Sequence, residues 1–165
     1  MLQAGNFRVL VLRAIGKDAS SPASDLLSDS IFGTHGDPVN LNSQYKACSY
    51  GLLSFQPVPN KGTDGVYDVD IKRLKISGSH EYVIRDAVVG KAISDLGKLN
   101  SFADYVIVCL PPGTKGSWIA YVSTVDVTTI CSTDLEMGEQ LTYGHRHLST
   151  IGYLSTIIIG ALLLL

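Results

Sequence analysis

The sequence predicts an α/β domain, a mixed and mostly parallel sheet with flanking helices. Three observations carry that expectation. YVIVCL, from Tyr105 to Leu110, is apolar on both faces, as in a strand at the middle of a sheet covered on both sides. Ile84, Val88, Ala92 and Leu96 recur every four residues, with Asp86, Lys91, Asp95 and Lys98 off that stripe. Such spacing describes an amphipathic helix over residues 85–99. The order of segments is strand, short helices, two strands, helix, two strands, which suits one α/β sandwich.

Along the chain, FRVLVLRA from Phe7 to Ala14 reads as the first strand, closed by Gly16 and Lys17. Ser21 and Pro22 are expected to start a short helix through Leu26 and Leu27, as N-cap and first-turn proline. Phe32, Gly33 and the turn residues Gly36, Asp37 and Pro38 end that unit. A second short helix is expected in NLNSQYKACSYG, beginning at Asn42 or Ser43 and ending at Gly51. LLSFQPV from Leu52 to Val58 alternates weakly. GVYDVDIKR places Val66, Asp68 and Asp70 on one face and Tyr67, Val69 and Ile71 on the other. The intervening NKGTDG predicts a hairpin-like connection. From Asp104 to Val122, DYVIVCLPPGTKGSWIAYV reads as a buried strand, a Pro/Gly turn and a second strand.

A chain of 165 residues suits one domain, and 45% hydrophobic with 17% charged residues describes a folded one. The net charge of −2 gives no field for nucleic acid, and Lys72, Arg73 and Lys75 read as a solvated edge. Cys48, Cys109 and Cys131 are odd in number. Cys109 fits a small buried hydrophobe, whereas Cys48 and Cys131 are free to pair in an oxidising compartment. FRVLVLRA, charged at both ends, makes a poor signal peptide. Residues 148–165 hold no charge and as a helix would span about 27 Å at roughly 1.5 Å per residue. A membrane anchor, a lipid-anchor signal, a shifted reading frame and a core element all fit this apolar tail; the domain proper is expected over residues 1–147.

Taken in order, FRVLVLRA, IFGTHGDPVNLNSQYKACSYGLLSFQPV, GVYDVDI, DAVVGKAISDL and ADYVIVCLPPGTKGSWIAY resemble the amino-terminal half of the catalytic domain of the gametolysin family of metzincin metallopeptidases. The similarity runs from Asn6 to Val122, with Ser117 in place of a Gly. It implies a metzincin-like twisted sheet backed by two long helices, the second carrying His-Glu-x-x-His-x-x-Gly-x-x-His on zinc. Two His at i and i+4 share a helix face and so can hold one metal, while the Glu takes the proton of zinc-bound water. The implied substrate is a protein or peptide of extracellular matrix or cell wall, and the implied location is secreted or membrane-associated.

Two registers place this motif on the chain. In the first, Leu135 to Glu139 stands for His-Glu-x-x-His, which keeps Glu136 as the base and offers Glu139 and His145 as metal ligands. Leu135 then occupies a ligand position, and Thr142 replaces the glycine. In the second, Tyr143 to His147 stands for the motif, and only His147 survives as a ligand. Neither yields three histidines, so most of the roughly 10–16 kcal/mol of chelate stabilisation is lost. Glu136 equally fits a helix-surface carboxylate, and His145 and His147 around Arg146 equally fit a membrane flank. His35 and His80 read as exposed loop residues. Asp64, Asp68 and Asp70 lack the Asp-x-Asp-x-Asp-Gly pattern of a calcium loop and read as a solvated strand face.

Overall fold

The computed structural model describes residues 4–115, 120–123 and 128–132. Strand β1 (Gly5–Ile15) is the axis of the sheet, and its 11 residues are long enough to serve two partners on one edge. Strand β2 (Leu53–Pro57) runs parallel to its first half, from Gly5 opposite Leu53 to Val9 opposite Pro57. Strand β3 (Val66–Asp70) runs parallel to its second half, from Val11 opposite Val66 to Ile15 opposite Asp70. The other edge of β1 takes strand β4 (Tyr105–Leu110), also parallel. Beyond it lie β6 (Thr128–Ser132), parallel to β4, and β5 (Ala120–Ser123), antiparallel to β6. The sheet is therefore mixed and mostly parallel.

One expectation about a connection is corrected. NKGTDG does not make a hairpin, because β2 and β3 lie end to end along one strand instead of side by side. Val58 N donates to Val9 O at 3.2 Å and Val11 N donates to Gly65 O at 2.9 Å, so the chain leaves the ladder between them and rejoins it in the same direction. The excursion uses left-handed backbone at Asn60, Gly62, Asp64 and Gly65. Gly62 is required there: a Cβ would lie 1.9 Å from the Val66 carbonyl oxygen. The second strand of the Asp104–Val122 stretch, β5, does not pair with β4. Strand β6, unassigned in the sequence reading, pairs with β4 and separates it from β5. Its TTIC run is β-branched and suits a strand, but five residues alone do not announce one.

Side-chain alternation sends successive residues of each central strand to opposite faces. Leu10, Leu12 and Ala14 of β1 and Val106, Val108 and Leu110 of β4 meet Ile84, Val88 and Ala92 of helix α3 (Glu81–Leu96). This is the predicted four-residue stripe. Each large aliphatic buried there contributes about 1.5–3 kcal/mol. That outweighs the roughly 1 kcal/mol lost to Gly90 within the helix. On the other face, Val9, Val11, Ile107 and Cys109 meet Leu27 and Ile31 of helix α1 (Ser24–Phe32) and Leu41 and Tyr45 of helix α2 (Leu41–Cys48). Phe55 joins them, its ring 4.6 Å from that of Tyr45 in an edge-on arrangement.

Both short helices begin elsewhere than expected. Helix α1 starts at Ser24 behind Ala23, because the Ser21 hydroxyl is buried and donates to Cys109 O at 2.7 Å. Tied to β4, Ser21 has no helix to cap. Helix α2 is capped by Asn40, whose Oδ1 accepts from Ser43 N at 2.9 Å while Ser43 Oγ accepts from Asn40 N at 3.0 Å. That reciprocal pair is a capping box with serine in the third helical position. Asn42 serves another purpose, its Oδ1 accepting from Phe55 N at 2.8 Å.

Cys109 is fully buried, as a small hydrophobe would be, and Cys131 stands opposite it in the parallel ladder. Cys48 is exposed at the end of α2 and forms no disulfide. Among the described residues, no helix is long and apolar enough to cross a membrane. Residues 148–165 lie outside the described residues.

Candidate functional site

In open α/β sheets, ligands commonly sit beyond the carboxyl ends of the parallel strands. Here that end is where Ile15, Asp70, Leu110 and Ser132 finish their strands, and three polar clusters occupy it. The first surrounds Arg13, whose side chain is 17% exposed and whose Nη1 lies 3.0 Å from Asp68 Oδ2. Its Nε donates to Ser21 O at 3.2 Å and to Pro22 O. Asp68 Oδ1 accepts from Ser24 Oγ at 2.7 Å, so this carboxylate joins β1 and β3 to the start of α1.

The second cluster is the buried Ser21 hydroxyl on Cys109 O, which closes the gap between the loop after β1 and the end of β4. The third is Asp18. Its Oδ1 accepts from Ile76 N at 2.7 Å and its Oδ2 from Ser77 N at 3.2 Å. The backbone hydrogen bond from Ile76, followed by the hydrogen bond with the Ser77 side chain, pulls the Asp18 carboxyl down to about 2. Gly16 lies against Ile76 so closely that a Cβ would come within 2.2 Å of its side chain. The Pro111–Lys115 loop straps the same region, through Gly78 N on Gly113 O at 3.1 Å and Lys115 N on Ser79 O at 2.8 Å. The bonds named in these clusters all join separate parts of the chain. Their chemistry is closure of the sheet end.

The three acidic residues weighed for calcium are separated by their partners. Asp68 pairs with Arg13, Asp70 Oδ2 lies 3.1 Å from Lys72 Nζ, and the Asp64 carbonyl accepts from Ser28 Oγ at 2.8 Å. His35 sits exposed, its Nδ1 3.2 Å from Thr34 Oγ1, in a loop held by Asp29, which accepts from His35 N at 2.7 Å. His80 occupies the N-cap position of α3 and stacks on Tyr82 at 5.4 Å. Among the described residues, no group of three or more His, Cys, Asp or Glu is placed to hold a metal ion.

Glu136, Glu139, His145 and His147, with Leu135, lie outside the described residues. What is described is the frame that precedes them: β6 ends at Ser132, at the carboxyl end of the sheet. Two buried polar atoms have no partner among the described residues, Tyr45 Oη and Glu81 Oε2. Burial, reinforced by Tyr105 and Cys48, holds the Tyr45 phenol well above its ordinary value, so it stays neutral and inert as a base.

Sequence reading did not single out Asp18 or Arg13, and it took Ser21 for a helix cap. Their partners lie far along the chain, and a loop Asp or Ser carries no local sign of such a role. Comparison of the chain with protein-family models, curated proteins and solved structures gives no match.

Proposed function

We propose that this chain is the scaffold of a gametolysin-like zinc metallopeptidase domain, degenerate at its metal site, whose intact relatives hydrolyse peptide bonds in extracellular matrix or cell-wall proteins. The observation that carries the reading is the edge formed by β5 (Ala120–Ser123), the sole antiparallel strand among the described ones and the last in the strand order. A terminal strand with one described neighbour offers backbone donors and acceptors to an extended peptide, which would add as a further strand. A protein or peptide is thus the partner, at a secreted or membrane-associated location.

The donor set does not fit a three-ligand zinc centre. In the register that keeps Glu136 as base, Leu135 supplies no donor atom, and only Glu139 and His145 remain as ligands. No hydrolytic step through zinc is derived from two donors. A second reading has its own observation, the uncharged stretch of residues 148–165. It makes the domain a non-catalytic, membrane-tethered binding module, a pseudopeptidase that keeps the peptide edge and has lost the chemistry.

Zinc content of the full chain, purified in mild detergent, tests the proposal beside a Glu136→Ala variant. The expected result is far less than one zinc per chain and no peptide cleavage by either protein. One tightly held zinc per chain, with cleavage abolished in Glu136→Ala, would establish an active enzyme in the first register and overturn the degenerate site. Protection of β5 amides from hydrogen exchange by an extended peptide is expected in either case; its absence would remove the peptide edge.

A further inference from the structure

An open cleft of about 680 Å³ lies between the turn that follows β3 and the outer side of α3. Its floor is apolar, formed by Ile71, Leu74 and Ala87, and its rim carries one carboxylate, Asp70, beside Lys72, Arg73 and Lys91. That volume falls in the range of small-molecule sites rather than protein docking surfaces. It also separates the cationic cluster read from sequence as a solvated edge, because Lys75 takes no part in the lining.

The charges on the rim do not cancel. Lys72 is matched by Asp70, whose Oδ2 lies 3.1 Å from Lys72 Nζ and whose Oδ1 accepts from Lys72 N at 2.9 Å. Lys91 is matched one turn along α3 by Asp95. Arg73 alone has neither an ion pair nor a hydrogen bond from its side chain to any described residue, although it stands beside four residues whose charges are paired. The turn itself is rigid: Leu74 N donates to Ile71 O at 2.7 Å, Lys17 N to Leu74 O at 3.0 Å and Ile71 N to Ile15 O at 2.9 Å. The backbone that carries the uncompensated Arg73 is thereby anchored to β1 at the mouth of an apolar cleft.

We infer that this cleft binds a small monoanionic carboxylate with an apolar body. One uncompensated positive charge matches a single negative one, whereas a phosphate dianion would require a second cation released from its own partner. A guanidinium fork donates two parallel N–H···O bonds to a carboxylate, a match that the paired Lys72 and Lys91 do not offer. The body of the ligand covers Leu74 and Ala87, which are half-buried in its absence. This inference is independent of the peptidase reading, since the cleft uses none of β5, β6 or the motif residues.

The test is a titration of the ¹⁵N-labelled full chain with 3-phenylpropionate, followed by amide chemical shifts, with 3-phenylpropan-1-ol as the neutral counterpart. Saturable shifts centred on Arg73, Leu74 and Lys91 are expected. Arg73→Ala should weaken affinity at least tenfold, and Arg73→Lys, which keeps charge but not the fork, should fall between the two. Arg73 is exposed and its side chain makes no hydrogen bond or ion pair with a described residue, so both variants should retain the parent amide spectrum elsewhere. Shifts that fail to saturate, equal binding of the alcohol, or undiminished binding by Arg73→Ala would each overturn the assignment.

Discussion

On one face of the sheet a single helix of 16 residues, α3, covers an aliphatic layer drawn from alternate positions of β1 and β4. On the other, two helices of 9 and 8 residues cover a layer in which Phe55, Tyr45 and Cys109 stand among the aliphatics. The second face also depends on polar bridges: Ser21 to Cys109, Arg13 to Asp68 and the loop carbonyls, Asn42 to Phe55. A long helix with a periodic stripe holds its position chiefly through area. Two short helices bury too little in any one contact and are oriented by hydrogen bonds to the strands and loops beneath them.

The largest effect that separates the two faces should come from the aliphatic layer. Ile84, in the first turn of α3, is fully buried against β1 and β4, and Ile84→Ala should lower unfolding free energy by about 3 kcal/mol, within the usual 2–5 for such a deletion. Ile31, near the end of α1 and 8% exposed, should lose about 2 kcal/mol on the same change because the end of a short helix can settle into the space. Urea midpoints of the two variants provide the comparison. Equal losses, or a larger loss at Ile31, would mean that the two faces are equally rigid.

Next in size is Arg13. Its replacement by Met keeps much of the side-chain volume but leaves Ser21 O, Pro22 O and Asp68 without their shared donor. Because Asp68 is about half exposed, the ion pair itself counts for little, and the carbonyls near the buried Ser21 count for more. A loss of about 2 kcal/mol is expected, within the range for removing the charged partner of such groups. Hydrogen exchange should show it concentrated in the amides of α1, with those of α3 unchanged. Uniform loosening of both helices would argue that Arg13 supports the sheet rather than its short-helix side.

The same contrast explains what could be read from the sequence. Ile84, Val88 and Ala92 declare α3 by spacing, and YVIVCL declares a strand covered on both faces by lacking any polar side. The limits of α1 and α2 were misplaced because Ser21 and Asn42 look like caps locally, while their partners, Cys109 and Phe55, lie far along the chain. Asp64 and Gly65 suggested a hairpin because turn residues report that the chain bends, not which strand it meets next. For the candidate site, the sequence supplied Glu136, Glu139 and His145 through a motif register, and these lie outside the described residues. The polar clusters at the end of the sheet have no motif, since Asp18, Arg13 and Ser21 acquire their roles only once the strands are side by side.

The smallest expected effect sharpens the comparison by showing that the aliphatic face also has a polar anchor. Asp18 ties the loop after β1 to the turn before α3 through Ile76 N and Ser77 N. Its carboxyl is held at about 2, below the ordinary 3.8, chiefly by the first of these bonds. Folding therefore favours the ionised form, and the stabilisation is fully present above about pH 4 and disappears as pH falls through about 2. Asp18→Asn retains one acceptor oxygen and cannot ionise, so it should unfold at lower urea than the parent at pH 5. The gap between their midpoints should close between pH 4 and pH 2. Asp70 and Asp104 are also held below their ordinary range, by Lys72 and by Arg8, but they titrate in both proteins and cancel in the difference. A gap that stays constant down to pH 2 would mean that the charge of Asp18 contributes nothing. The anchoring of α3 would then rest on the packing of Ile76 against Gly16, the same area-driven closure that governs the rest of that face.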